Sequence, residues 1–328
     1  MRLFTRFAQF VLLTGILLNG ASLSFAQDAE MLRHFDYDQK APLALKQIGV
    51  QHREHANVYD VTYASPKGGV VSAYLVVPKG RGPFAAVIWG HWYWENSSMR
   101  NRKQFLDEAI ALAQAGVVSL LPDGPVARPG YVESKEPLND QQVVNLVHAV
   151  VDMRRGVDVL LARKDVDPKR MAYVGHSYHA MVGAFLTAVD RRFKAYVLMA
   201  SSLSDEVDLK TKELQDYRQK VGPDKFDAFI AKYYWTDQGK YVSHASPAVV
   251  FIQFANQESF LTPDRARQHA AVVSEPKQIK FYEAPHALNA EARRDRIQFL
   301  IEQLKLKPLS DAAVASIPNL YQPPSPNQ

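Results

Sequence analysis

The period of apolar positions changes several times along the chain, and each change predicts an element. Residues 58–64 and 70–77 are rich in β-branched and aromatic side chains and are separated by Ser65-Pro66-Lys67-Gly68-Gly69, a turn cluster, so they predict an antiparallel hairpin. Beyond it the pattern becomes strand, helix, strand. Residues 85–89 form an unbroken apolar run, 102–115 carry Phe105, Ala109 and Leu112 at helical spacing, and 117–121 are again a short apolar run. A long helix is predicted over 141–161, with Asn139 or Asp140 as its N-cap. Strands at 171–174, 195–199, 249–254 and 278–283 then alternate with helices at 178–189, 263–273 and 288–304. Such alternation means βαβ crossovers: an α/β fold with a mostly parallel sheet, helices on both faces and the hairpin at one antiparallel edge.

Two stretches fall outside the alternation. Residues 203–245 are charge-rich and end in Phe226, Phe229, Tyr233, Tyr234 and Trp235; they read either as a helical cap over the site or as a solvated excursion held down by its aromatics. Residues 305–328 hold five prolines and end in polar residues, which predicts an extended, weakly ordered tail. No repeat of 20 to 50 residues is present, which argues against solenoids and propellers.

At the N-terminus, Arg2 and Arg6 precede a short apolar stretch, and Ser24-Phe25-Ala26 supplies small residues at the two positions read by a signal peptidase. A signal peptide over 1–26, cleaved after Ala26, is expected, with a segment 27–57 leading into the domain at 58–304. Gln9, Thr14 and Gly15 interrupt the stretch, so no stable membrane span is expected once it is removed. The chain has 328 residues and no cysteine, which excludes disulfides, thiolate metal sites and a cysteine nucleophile. Losing the signal would remove two arginines and no acid, so the formal net charge falls from +5 to +3. The basic residues are scattered, and no nucleic-acid partner is expected. Periplasmic or secreted localisation follows.

The chemistry concentrates at strand ends. Directly after the 171–174 strand stands Gly175-His176-Ser177-Tyr178-His179, followed at once by an apolar helix. This is the setting of a nucleophile elbow, G-x-S-x-H where G-x-S-x-G is usual; the bland alternative for Ser177 is a helix N-cap. A serine nucleophile needs a base, and the base an orienting acid. His286 follows the 278–283 strand, and Glu258 follows the 249–254 strand, giving the chain order Ser177, Glu258, His286. Asp205, and less directly Asp264, are competing acids. His176 and His179 stand three apart, but no H-E-x-x-H pattern accompanies them, so no metal is expected, and no glycine-rich phosphate loop calls for a nucleotide or other cofactor.

These motifs resemble the α/β-hydrolase family, in particular its dienelactone-hydrolase-like and acetyl-xylan-esterase-like members, over roughly residues 58–304. In its acid motif G-x-x-D-x-x-V, this chain has Ala255 for the glycine and Glu258 for the aspartate. The resemblance implies a serine hydrolase acting on a small-molecule ester or acyl substrate. Ser177 would be the nucleophile, His286 the base and Glu258 the acid. The oxyanion hole would be built from the Tyr178 amide and that of His91 or Trp92, in Trp89-Gly90-His91-Trp92. A catalytically decayed binding scaffold, and a peptidase or acyltransferase using the same triad, are the alternatives.

Overall fold

The computed structural model describes residues 29–94, 97–131, 138–258 and 260–320, so the expected signal segment and the last eight residues of the tail lie outside the described residues. The chain divides into a unit over 1–36, in which 29–33 are helical, and a unit over 37–328. The second unit carries one nine-stranded sheet, ordered β1-β2-β3-β5-β4-β6-β7-β8-β9. Its strands are β1 (Lys46–His52), β2 (Ala56–Ala64), β3 (Val70–Pro78), β4 (Phe84–Gly90), β5 (Val117–Pro122), β6 (Val166–His176), β7 (Ala195–Met199), β8 (Val249–Ala255) and β9 (Lys277–Tyr282). β1, β2 and β3 pair antiparallel, and β3 joins β5 antiparallel. From β5 to β9 every pairing is parallel.

Burial explains which strands the apolar pattern announces. β4, β5 and β7 are buried at every residue, as strands covered on both faces must be, and they read as continuous apolar runs. β1 is almost wholly exposed, so Lys46-Gln47-Ile48-Gly49-Val50-Gln51-His52 shows no inward face; it lies in the 27–57 segment, where no strand was expected.

The α-helices described in the second unit, in chain order, are α1 (Leu106–Ala113), α2 (Asp140–Leu161), α3 (Tyr178–Val189), α4 (Asp205–Asp208), α5 (Lys212–Val221), α6 (Pro223–Lys232), α7 (Gly239–Val242), α8 (Pro263–Val272), α9 (Ala290–Leu304) and α10 (Asp311–Ala315). Asn139 caps α2, accepting from the Gln141 amide. The expectation of a weakly ordered tail fails over 305–320. Ser310 caps α10, Val314 and Ile317 bury themselves in the main core, and Arg293 of α9 donates to the Pro318 carbonyl at 3.1 Å. Apolar anchors among the prolines are enough to fasten the segment. Among the described residues, no helix is long and apolar enough to cross a membrane.

Candidate active site

β6 runs straight into α3 through a single residue, Ser177, whose φ of 54° and ψ of −116° are costly for a side chain with a Cβ. Its amide donates to the Met199 carbonyl of β7 at 2.8 Å, which holds the turn. A capping serine would have extended dihedrals and accept from an amide of the first helical turn; Ser177 has neither property. The strained turn presents its hydroxyl instead of spending it on the helix.

The carboxylate and the imidazole come from neighbouring loops zipped together by backbone hydrogen bonds. Beyond the parallel pair β8 and β9, the Asn256 amide donates to the Tyr282 carbonyl at 2.9 Å and the Gln257 amide to that of Ala284 at 3.1 Å. His286 sits in a turn closed by the Leu288 amide on the Pro285 carbonyl, after which Asn289 caps α9. This frame brings His286 Nδ1 to 2.5 Å from Glu258 Oε2, both side chains almost fully buried. Donation from Nδ1–H to the carboxylate fixes the tautomer in which Nε2 keeps its lone pair. Trp92 stacks on the imidazole at 6.0 Å, with Trp94 and Phe260 against it. The other acids have other partners: the Asp205 amide donates to the Asp237 carboxylate at 2.8 Å, and Asp264 pairs with Arg267 on α8.

The loop after β4 bears on the open choice between His91 and Trp92. The His91–Trp92 peptide is held at both ends: His179 Nδ1–H donates to the His91 carbonyl, and the Trp92 amide donates to Gln104 Oε1 at 2.6 Å. The Trp92 N–H is therefore spent within the protein, which leaves the His91 amide of the two candidates in this loop. Sequence reasoning missed Gln104 because a single glutamine ahead of an amphipathic helix carries no signal of its own; it is 6% exposed.

His179 stands where the usual elbow has glycine, and the space comes from two glycines elsewhere. A Cβ on Gly124 would lie 2.5 Å from Cε1 and Nε2 of the His179 ring, and one on Gly90 would strike the His179 Cβ. Burial holds His179 well below the ordinary histidine range and pushes His91 down to about 4, so both are neutral. His91 donates from Nδ1 to the Trp92 carbonyl at 2.7 Å and accepts from the Gly124 amide at 3.0 Å. Gly124→Ala is accordingly expected to cost about 1–3 kcal/mol through overpacking, read as a lowered melting temperature; an unchanged melt would show that the ring yields freely.

A cavity of about 320 Å³ adjoins Tyr178. Val126, Leu146 and Met181 give it apolar walls, while Asp205, Phe229 and Gln238 come from the 203–245 excursion. Tyr241 of that segment packs on Phe185 of α3, and other of its side chains line the cavity. The half-buried Asp205 carboxyl is pushed up to about 7, first by loss of water and then by the charge of Asp237. A folded pKa above the unfolded value means tighter proton binding in the folded chain. Its contribution to stability is complete below about pH 4 and is lost as pH rises through about 7. Asp205→Asn should flatten the fall in melting temperature between about pH 5 and 8; parallel curves for variant and wild type would contradict this.

Among the described residues, no grouping of three His, Cys, Asp or Glu side chains suits a metal ion. An antiparallel edge, a parallel body, a serine elbow and an acid and imidazole at later strand ends define the chain as an α/β-hydrolase-fold protein. No family model matches it. Acetyl xylan esterase 1 from Thermoanaerobacterium sp. JW/SL YS485 superposes with a TM-score of 0.66 at 17% identity, covering 84% of this chain and 93% of that one. In sequence the chain is similar to "Polyketide transferase ATR5" of Stachybotrys chlorohalonatus (strain IBT 40285), 25% identical over 297 residues, 75% of this chain and 95% of the relative. It is also 26% identical over 195 residues to "Putative hydrolase YtaP" of Bacillus subtilis (strain 168), a match spanning 55% of this chain and 64% of that relative.

Proposed function

We propose that the protein is an exported serine hydrolase that cleaves a carboxylic ester or related acyl bond through an acyl-enzyme. The observation that carries the proposal is the buried His286–Glu258 hydrogen bond at the strand ends that follow a strained, uncapped serine. Ser177 Oγ attacks the acyl carbonyl while His286 Nε2 takes its proton. The amides of Tyr178 and His91 stabilise the tetrahedral oxyanion, aided by the N-terminal end of α3. His286 returns the proton to the departing alcohol; water then enters by the same route in reverse and frees the acid. Glu258 holds the imidazole and offsets its transient positive charge. The 320 Å³ cavity beside Tyr178 is the place for the acyl or alcohol part. Export to the periplasm or beyond rests on the residues of the 1–26 segment alone.

Acyl transfer to an alcohol is the second reading, favoured by the transferase relative that matches over 95% of its length. It needs the same acyl-enzyme and differs only in what attacks it. Incubating the mature protein with short p-nitrophenyl esters, with and without added alcohols, separates the two: free acid marks hydrolysis, new ester marks transfer. A fluorophosphonate probe covers poor substrates. Absence of both turnover and labelling at Ser177 would leave the binding-scaffold alternative standing.

A further inference from the structure

His176 and Gln104 take no part in the chemistry just described, yet both are buried and connected on two sides. Gln104 Nε2–H donates to His176 Nδ1 at 2.6 Å, and His176 Nε2–H donates to the His286 carbonyl at 2.8 Å. With the Trp92 amide on Gln104 Oε1, three hydrogen bonds run in one direction: loop amide to glutamine, glutamine to imidazole, imidazole to the backbone of His286. The direction is imposed by the chemistry of the groups. A glutamine that accepts at Oε1 must offer its amino group at the other end, so His176 must accept at Nδ1 and donate at Nε2. Burial, and after it the neighbouring His286, hold His176 neutral, which that donor and acceptor assignment requires. Aligned bonds of this kind polarise and strengthen one another.

We propose that Gln104 and His176 are positioning residues, a one-way relay that locks the oxyanion loop after β4 to the loop bearing His286. The inference rests on the hydrolase reading for its kinetic meaning. Its geometric content stands apart from it: the relay fixes where His286 sits relative to the His91–Trp92 peptide, whose other end His179 holds. Ser177 follows His176 directly in the chain.

Gln104→Glu tests the polarity with almost no change of shape. A carboxylate still accepts from the Trp92 amide but cannot donate to Nδ1, so His176 must turn a proton toward residue 104 and present a lone pair to the His286 carbonyl. The expected result is a fall in kcat of about 10- to 100-fold on a p-nitrophenyl ester with KM changed by less than about threefold, the mark of misplaced catalytic groups. His176→Gln, which can accept and donate in the same sense, should keep more activity than His176→Phe. Gln104→Met, neutral and similar in size, is the alternative should the glutamate variant fold poorly. A second readout does not need turnover: the downfield proton resonance of His286 Nδ1–H, recorded in a Ser177→Ala background, should shift or broaden in Gln104→Glu. Wild-type kcat together with an unmoved resonance would overturn the relay. A wild-type chain that neither turns over nor takes the probe would overturn the hydrolase reading, while the resonance would still decide the relay.

Discussion

Ser177→Ala should reduce kcat on a short p-nitrophenyl ester by about a million-fold, abolish fluorophosphonate labelling, and leave the fold in place. The size follows from what remains. Without the hydroxyl there is no acyl-enzyme, and His286 and the oxyanion amides can assist only a direct attack by water. The fold should survive because the turn is held by the Ser177 amide on the Met199 carbonyl, a bond the substitution keeps. Far-ultraviolet circular dichroism and a thermal melt beside the kinetics separate loss of chemistry from loss of structure. Comparable turnover by variant and wild type would remove Ser177 from the mechanism.

Glu258→Gln should cost about 10⁴-fold in kcat, and Asp205→Asn should cost less than about tenfold at pH 6. The glutamine has nearly the shape of the glutamate. Its amino group, however, can face His286 as a donor, which favours the tautomer with the proton on Nε2 and removes the lone pair that would receive the serine proton. Its neutral amide also leaves the imidazolium of the transition state without a counter-charge in a buried setting. Asp205 lines the cavity and its amide is bonded to the Asp237 carboxylate, so replacing its carboxyl acts on pocket polarity. Reversal of the two effects would make Asp205 the working acid.

The sequence made the central sheet legible because those strands are buried on both faces and therefore apolar without interruption. β1 escaped because an exposed edge strand needs no inward face, and the ordered part of the tail escaped because Val314 and Ile317 are two isolated anchors in a polar, proline-rich context. At the candidate site, the sequence offers Ser177, Glu258 and His286 from their places just after strands, and the structure brings His286 and Glu258 together. Position directly after a strand favours Glu258 over Asp205 in the sequence, and the structure adds the His286 Nδ1 contact to Glu258, which no pattern of residue types announces. The choice between the His91 and Trp92 amides was open in the sequence because an amide's availability depends on a partner, here Gln104, 12 residues from Trp92. His176 drew notice as a possible ligand, whereas its two ring nitrogens are both engaged within the protein.

The ring of His179 occupies the room that Gly124 and Gly90 leave open. The three positions thus form a steric lock in which the order of change matters. A larger residue at 124 becomes tolerable only after 179 has become small, so Gly124→Ala should regain stability in a His179→Ala background, where each change alone is harmful. Related chains should obey the same exclusion: bulk at 179 or bulk at 124, never both. A histidine at the fifth position of the elbow is then a licence issued by a glycine some 55 residues earlier, and a chain that lacks that glycine has no path to it in a single step.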